Sequence, residues 1–268
     1  MPLEVDMSSP YTSTFYHQQR CGSYSSAEVV IPRLLSLAQV HSAIDVGCGL
    51  ATWLSVLRAH GISDIVGVDG DYVDRSAIQV PTDNYLALDI RQPLKLGRRF
   101  DLALSLEVAE HLPANCADGF VESLTRLAPV ILFSAAIPFQ GGTSHINEQW
   151  PEYWASIFEK HAYVPLDCIR RYIWNDARVE WWYAQNILVY ANEEGLYKNP
   201  GLARHRQEKA AQQLSLVHPR KYLSAANPPH PGFRQALSLT ATAARLAFIK
   251  RLNIATRLPV HILARIRS

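Results

Sequence analysis

Ile44-Asp45-Val46-Gly47-Cys48-Gly49-Leu50-Ala51-Thr52-Trp53-Leu54 decides the fold of this 268-residue chain. It is a short apolar strand carrying an acid, a turn through two glycines, and the start of a helix. Glycines at such a turn let a ligand come close to the backbone, and the helix behind it offers unpaired N–H groups. Asp64-Ile65-Val66-Gly67-Val68 reads as a second strand, ending in Asp69 about twenty residues further on, where a carboxylate can accept hydrogen bonds from both hydroxyls of a ribose. Strand, glycine turn, helix, strand and acid make a nucleoside-binding half.

Two nucleoside classes compete for it. A dinucleotide site wants G-x-G-x-x-G, its third glycine allowing close helix–strand packing. That position is Thr52 here, and Asp45 precedes the first glycine by two. An acid before G-x-G suits a ligand bearing an ammonium rather than a pyrophosphate. The strands that follow keep the order. Asn84 to Leu88 reads as a third strand ending in Asp89, and Phe100 to Leu106 as a fourth, followed at once by Glu107-Val108-Ala109-Glu110-His111-Leu112-Pro113. Acids at four successive strand ends fall on the carboxyl edge of a parallel sheet, where open α/β sheets bind ligands.

This pattern resembles the class I S-adenosylmethionine-dependent methyltransferases, whose first motif is roughly acid-x-G-x-G-x-G; the chain departs from it at Ala51. The resemblance spans about residues 11 to 191. It implies an α/β fold, a Rossmann-like seven-stranded sheet with helices on both faces, and S-adenosylmethionine as cofactor. Asp45, Gly47, Cys48 and Gly49 would then hold its amino-acid end, Asp69 and Gly70 its ribose, Asp89 and Ile90 its adenine, with Leu106 alongside.

Further elements are legible in turn. Ser25 to Glu28 spells a capping box, predicting a helix to about Gln39 with Pro32 inside it. Leu50, Leu54 and Leu57 recur at helical spacing before Gly61, a C′ stop. Asp118 is a candidate cap for the stripe Phe120, Val121, Leu124, Leu127, and Val130 to Ser134 is a near-continuous apolar strand of the kind buried between two helical layers. Pro151 suits the first turn of a helix to Lys160. Tyr163–Ile169 and Asn186–Tyr190 supply strands six and seven, a reversed hairpin at the edge. Trp174, Trp181, Trp182 and Tyr183 read as sheet packing, with an acceptor pocket as the alternative.

Glu107, Glu110 and His111 leave strand four, and His145 lies on the loop after strand five, the neighbouring edge. Two carboxylates and two imidazoles there can hold a hard or borderline divalent ion with positions open for substrate oxygens. The set is similar to that of metal-dependent O-methyltransferases, which implies Glu107, Glu110, His111 and His145 as ligands of Mg²⁺ or Mn²⁺. Without a metal, Glu107, His111 and His145 remain the catalytic candidates, with His145 as general base. Asn147, Gln149, Trp150 and Tyr153 offer amides and aromatic faces suited to a sugar or small ring. The expected activity is O-methylation of a sugar or glycan hydroxyl; a small natural product, an RNA 2′-hydroxyl, or cofactor binding without catalysis are the alternatives.

Composition bounds the rest. A core of about 180 residues buries roughly 70% of its unfolded surface and needs no staple. The four cysteines are scattered, which suits reduced thiols in a cytoplasmic protein. Neither a signal peptide nor a membrane span is visible. Charge is segregated: all 24 acidic residues and 16 of the 26 basic ones precede Lys209, leaving a body of −8 and a tail of +10. The expected organisation is a methyltransferase domain over 1–191, with an N-terminal cap at 11–40. A basic helical extension over 192–268 would follow, with a Pro-rich linker near 224–233 and helices at 236–254 and 260–266. Such a tail suits peripheral contact with an anionic inner membrane surface or docking on the acidic body, and nucleic acid less well.

Overall fold

The computed structural model describes residues 13–208 and 213–226. The chain divides into two compact units, Met1–Tyr222 and Leu223–Ser268; the first carries everything below. The second lies outside the described residues apart from Leu223 to Ala226, so the helices expected at 236–254 and 260–266 and the tail's partner lie outside them too.

Seven strands form one sheet: β1 (Ser42–Val46), β2 (Asp64–Asp69), β3 (Tyr85–Ala87), β4 (Leu102–Leu106), β5 (Val130–Ser134), β6 (Val164–Leu166) and β7 (Leu188–Ala191), in the order β3-β2-β1-β4-β5-β7-β6. β1 to β5 pair in parallel, and β7 runs antiparallel between β5 and β6. This is the seven-stranded Rossmann-like methyltransferase sheet with its reversed strand. Alternation sorts each strand's side chains into two cores. Leu102, Leu104, Val130 and Leu132 pack with Val30, Leu34, Leu54 and Leu57 of α1 (Ser13–Leu35) and α2 (Thr52–Ala59). Ala103, Ile131 and Phe133 pack with Phe120, Leu124, Trp154 and Phe158 of α3 (Ala117–Leu127) and α4 (Pro151–Lys160). Tyr190 stacks on Phe158 at 3.9 Å and 17°. Buried on both faces, these strands read as the apolar runs the sequence shows.

Among the described residues five further helices follow: α5 (Arg170–Ile173), α6 (Trp181–Asn186), α7 (Glu193–Lys198), α8 (Pro200–Ala203) and α9 (Pro219–Ala226), the last running past Tyr222. Three expectations need correction. The capping box does not start a helix, because α1 already begins at Ser13 and the Ser25 and Ser26 hydroxyls donate back to the Gly22 carbonyl. Asp118 is no cap; it lies inside α3 and accepts from Lys160 Nζ at 2.8 Å. Ser224 to Ala226 are helical rather than linker. Among the described residues, no helix is long and apolar enough to cross a membrane.

Candidate active site

The strand order reverses between β1 and β4, and such a switch point opens a crevice at the carboxyl edge. The turn leaving β1 is left-handed at Gly47 (φ +81°), Gly49 (+52°) and Ala51 (+59°). A Cβ at residue 47 would lie 2.5 Å from Val108 Cγ2, so glycine is required for space as well as for torsion. Gly49 N–H donates to Asp69 Oδ2 at 2.7 Å, and Asp69 Oδ1 accepts from Gly70 N–H and the Tyr72 hydroxyl. The carboxylate ending β2 thus ties the glycine turn to the chain that follows it.

Two cavities meet here. A cleft of about 1130 Å³ is lined by Gly47, Gly49, Asp69, Gly70, Asp89 and Ile90 on one side. Glu107, Glu110, His111, Gln140 to Thr143, His145 and Glu180 to Tyr183 line the other. A smaller cavity of about 80 Å³ is lined by Ser23, Asp45, Cys48, Thr52, Trp53, Leu106 and Tyr183. Gly47, Gly49, Glu107 and Tyr183 face both. Burial, with the nearby Asp69 charge, pushes Asp45 up to about 7.

Glu110, His111 and His145 come together, offering ligand atoms that all lie within 4.8 Å of one another. Glu110 is fully buried, and its carboxyl makes no well-formed hydrogen bond although the Glu107 carboxyl and the Ala136 N–H lie beside it; His111 Nδ1 likewise makes none. Burial and the Glu107 charge hold Glu110 well above the usual carboxylate range. Burial and then His145 lower His111, leaving a neutral imidazole with a free lone pair at neutral pH. His145 meets His111 edge to face at 4.8 Å, and its Nδ1 lies 3.0 Å from Glu148 Oε1. A Cβ at Gly142 would lie 2.3 Å from His145 Nε2, so the loop passes the ring only as glycine. A buried carboxyl and an imidazole nitrogen without well-formed hydrogen bonds, giving with His145 one oxygen and two nitrogen ligands, fit a divalent cation.

Glu107 differs from the ligand set the sequence suggested. It lies outside the three-residue cluster, and its carboxylate accepts from Gln140 Nε2 at 2.9 Å and Asn186 Nδ2 at 3.0 Å. Its backbone is left-handed (φ +55°), held by the Ser134 carbonyl and hydroxyl. Asn147, Gln149, Trp150 and Tyr153 line neither cavity. The N–H groups of Ile146 and Asn147 donate to the Glu110 carbonyl and that of Gln149 to Ala136, so this stretch anchors the loop. Trp150 is the N-cap residue of α4, and Tyr153 packs on Trp154. Trp181, Trp182 and Tyr183 form a wall of the cleft, while Tyr183 also lies in the core and Trp182 packs against it. Asp89 is engaged by Arg91 through both oxygens.

A family model described as a methyltransferase domain matches residues 24–175, more than half of the chain. The chain belongs to that family: it is a class I methyltransferase, and its cofactor is S-adenosylmethionine. Solved structures similar to it include magnesium protoporphyrin IX methyltransferase from Synechocystis PCC 6803 with bound S-adenosylmethionine. That pair shares 17% identity and a TM-score of 0.49, over 69% of this chain and 87% of that one. The sugar N-methyltransferase KedS8 from Streptoalloteichus sp ATCC 53650 shares 15% identity and a TM-score of 0.49, over 72% and 99%. The methyltransferase domain of bacterial CtHen1-C shares 20% identity and a TM-score of 0.48, over 63% and 98%. No curated protein matches the sequence.

Proposed function

We propose that the protein is an O-methyltransferase acting on a hydroxyl of a sugar or glycan, with Glu110, His111 and His145 addressing that hydroxyl. The observation that carries this reading is the convergence of those three side chains on a cleft walled by Trp181 and Trp182. Indole faces suit the C–H face of a sugar ring, while the cluster supplies polar ligands for its oxygens.

In this reading Asp69 and Gly70 hold the ribose, Asp89 and Ile90 the adenine, and the Asp45–Gly49 turn with Leu106 the amino-acid end. S-adenosylmethionine supplies an electrophilic methyl group on its sulfonium. Glu110, His111 and His145 would hold Mg²⁺ or Mn²⁺, which would supply Lewis acidity toward the acceptor hydroxyl. The protein's own residues orient the acceptor oxygen; without a metal the neutral His111 or His145 imidazole takes its proton, and with one those lone pairs would be ligands and the proton would leave to solvent. Glu148 orients the His145 ring.

Turnover of radiolabelled S-adenosylmethionine on a panel of sugars and glycans tests the reading. His145→Ala and Glu110→Gln are each expected to lower turnover at least 100-fold, and EDTA to abolish it until Mn²⁺ or Mg²⁺ is restored. Turnover indifferent to EDTA but lost in His145→Ala would assign the step to histidine alone. Undiminished turnover in both variants would reject the cluster. Glu148→Gln should weaken Mn²⁺ binding about 10- to 100-fold in calorimetry, as expected for a carboxylate behind a ligating histidine.

Asp45 gives a pH test. Its carboxyl is raised to about 7 without a cation beside it, and an ammonium placed there favours the ionised form. Binding therefore expels a proton below pH 7, so affinity for S-adenosylmethionine should rise with pH to about 7 and then level. Calorimetry at pH 6 in buffers of different ionisation heat should show close to one proton released, and Asp45→Asn should remove it. A flat profile in the unaltered protein would place the ammonium elsewhere.

A further inference from the structure

Glu107 ends a chain of hydrogen bonds whose donors all point one way. The His218 main-chain N–H donates to Gln185 Oε1 at 2.9 Å. The Gln185 amide then donates to Gln140 Oε1 and Asn186 Oδ1 at 3.1 and 2.9 Å. Asn186 spends its amide on Gln140 Oε1 and Glu107 Oε1, and Gln140 donates to Glu107 Oε2. Gln140, Gln185 and Asn186 are all buried, so reversing any one amide would set donor against donor without water to relieve it. A directed chain of this kind ends on a group that only accepts, and the Glu107 carboxylate is that group here. Each Glu107 oxygen is thereby fixed by a separate amide, on a backbone already turned left-handed.

What the carboxylate faces is given by the cavities. Glu107 borders both the large cleft and the small cavity that Asp45 and the glycine turn enclose. The small cavity, at about 80 Å³, has room for an amino-acid head group and not for an acceptor ring. Two carboxylates bordering such a space call for a cation.

We infer that Glu107 is a second carboxylate subsite for the α-ammonium of S-adenosylmethionine, opposite Asp45, and that Gln140 and Asn186 are the positioning residues that aim it. The inference rests on the orientation of the cofactor proposed above. It separates Glu107 from the acceptor cluster: Glu110, His111 and His145 address the hydroxyl, while Glu107 fixes the methionyl end that carries the methyl group.

The test compares S-adenosylmethionine and S-adenosylhomocysteine with methylthioadenosine, which keeps the nucleoside and thioether but lacks the amino-acid end. Glu107→Gln, Gln140→Ala and Asn186→Ala are each expected to weaken the first two at least tenfold in calorimetry. Affinity for methylthioadenosine should stay within twofold, a split that mere loosening of the fold would not produce. Glu107→Gln keeps the shape but meets the Gln140 and Asn186 donors with an N–H of its own, so urea unfolding is measured on every variant and the comparison of ligands is made on those that fold. Equal losses for all three ligands, or no loss, would overturn the inference. Asp45→Asn is run beside them: a split there with none in the Glu107 set rejects this subsite alone. No split in either rejects the cofactor orientation as well.

Discussion

Asp69→Ala is expected to weaken S-adenosylmethionine binding by about 2–4 kcal/mol, roughly 30- to 1000-fold in Kd. A ribose offers that carboxylate two hydroxyls, each a charge-assisted bond of about 1.5–3 kcal/mol. One of them replaces the Tyr72 hydroxyl that Asp69 holds otherwise, so the net loss in the variant is nearer one bond than two. The remainder comes from the turn. Without the carboxylate, the N–H groups of Gly49 and Gly70 lose their acceptor, and the loops that meet the nucleoside are no longer held together. Calorimetry on Asp69→Ala beside Asp83→Ala, an exposed acid between β2 and β3, measures the effect. Equal affinities in the two variants would remove Asp69 from nucleoside recognition.

Arg170→Ala should cost stability rather than binding, by about 3–5 kcal/mol. The side chain is 1% exposed, yet it carries a full charge. It donates to the Gln185 carbonyl at 3.1 Å and the Leu214 carbonyl at 2.7 Å, and pairs with Asp167 at 2.6 Å. Removing it strands two carbonyls and a carboxylate, and lets go of the segment that presents the His218 N–H. For a domain of this size the fall in Tm is roughly 10 °C. A change below about 1 kcal/mol in urea unfolding would show that the guanidinium is replaceable by water.

The sheet was readable because its strands are buried on both faces, and such strands show as apolar runs of the right length. β5 and α4 have the bounds their sequences announce, Val130–Ser134 and Pro151–Lys160. The glycine turn and its acid were readable because left-handed backbone and close approach select glycine. Cap positions were not: Ser25 and Asp118 have side chains that cap helices, but Ser25 lies inside α1 and donates to the Gly22 carbonyl, and Asp118 lies inside α3 and pairs with Lys160. The loop after β5 misled for a related reason. Asn147 and Gln149 look like ligand-binding amides, yet their main-chain groups are what the fold uses, and no composition reveals that. Glutamines and asparagines such as Gln140, Gln185 and Asn186 carry no charge and no spacing, so a linear reading gives them no role. Only their burial beside Glu107 does. Trp181 and Trp182 sit on a helix of six residues, too short for periodicity to tell a cleft wall from a core.

β7 enters the sheet at the edge where its parallel neighbours leave it. Chain direction therefore sorts the chemistry: exits of forward strands deliver acids and imidazoles, and the approach to the backward strand delivers neutral amides, Gln185 and Asn186. The reversed strand thus does more than close an edge, because it brings in a stretch of chain that no forward crossover could place there. A mutational survey confined to residues trailing each strand would miss the half of this pocket that arrives from upstream.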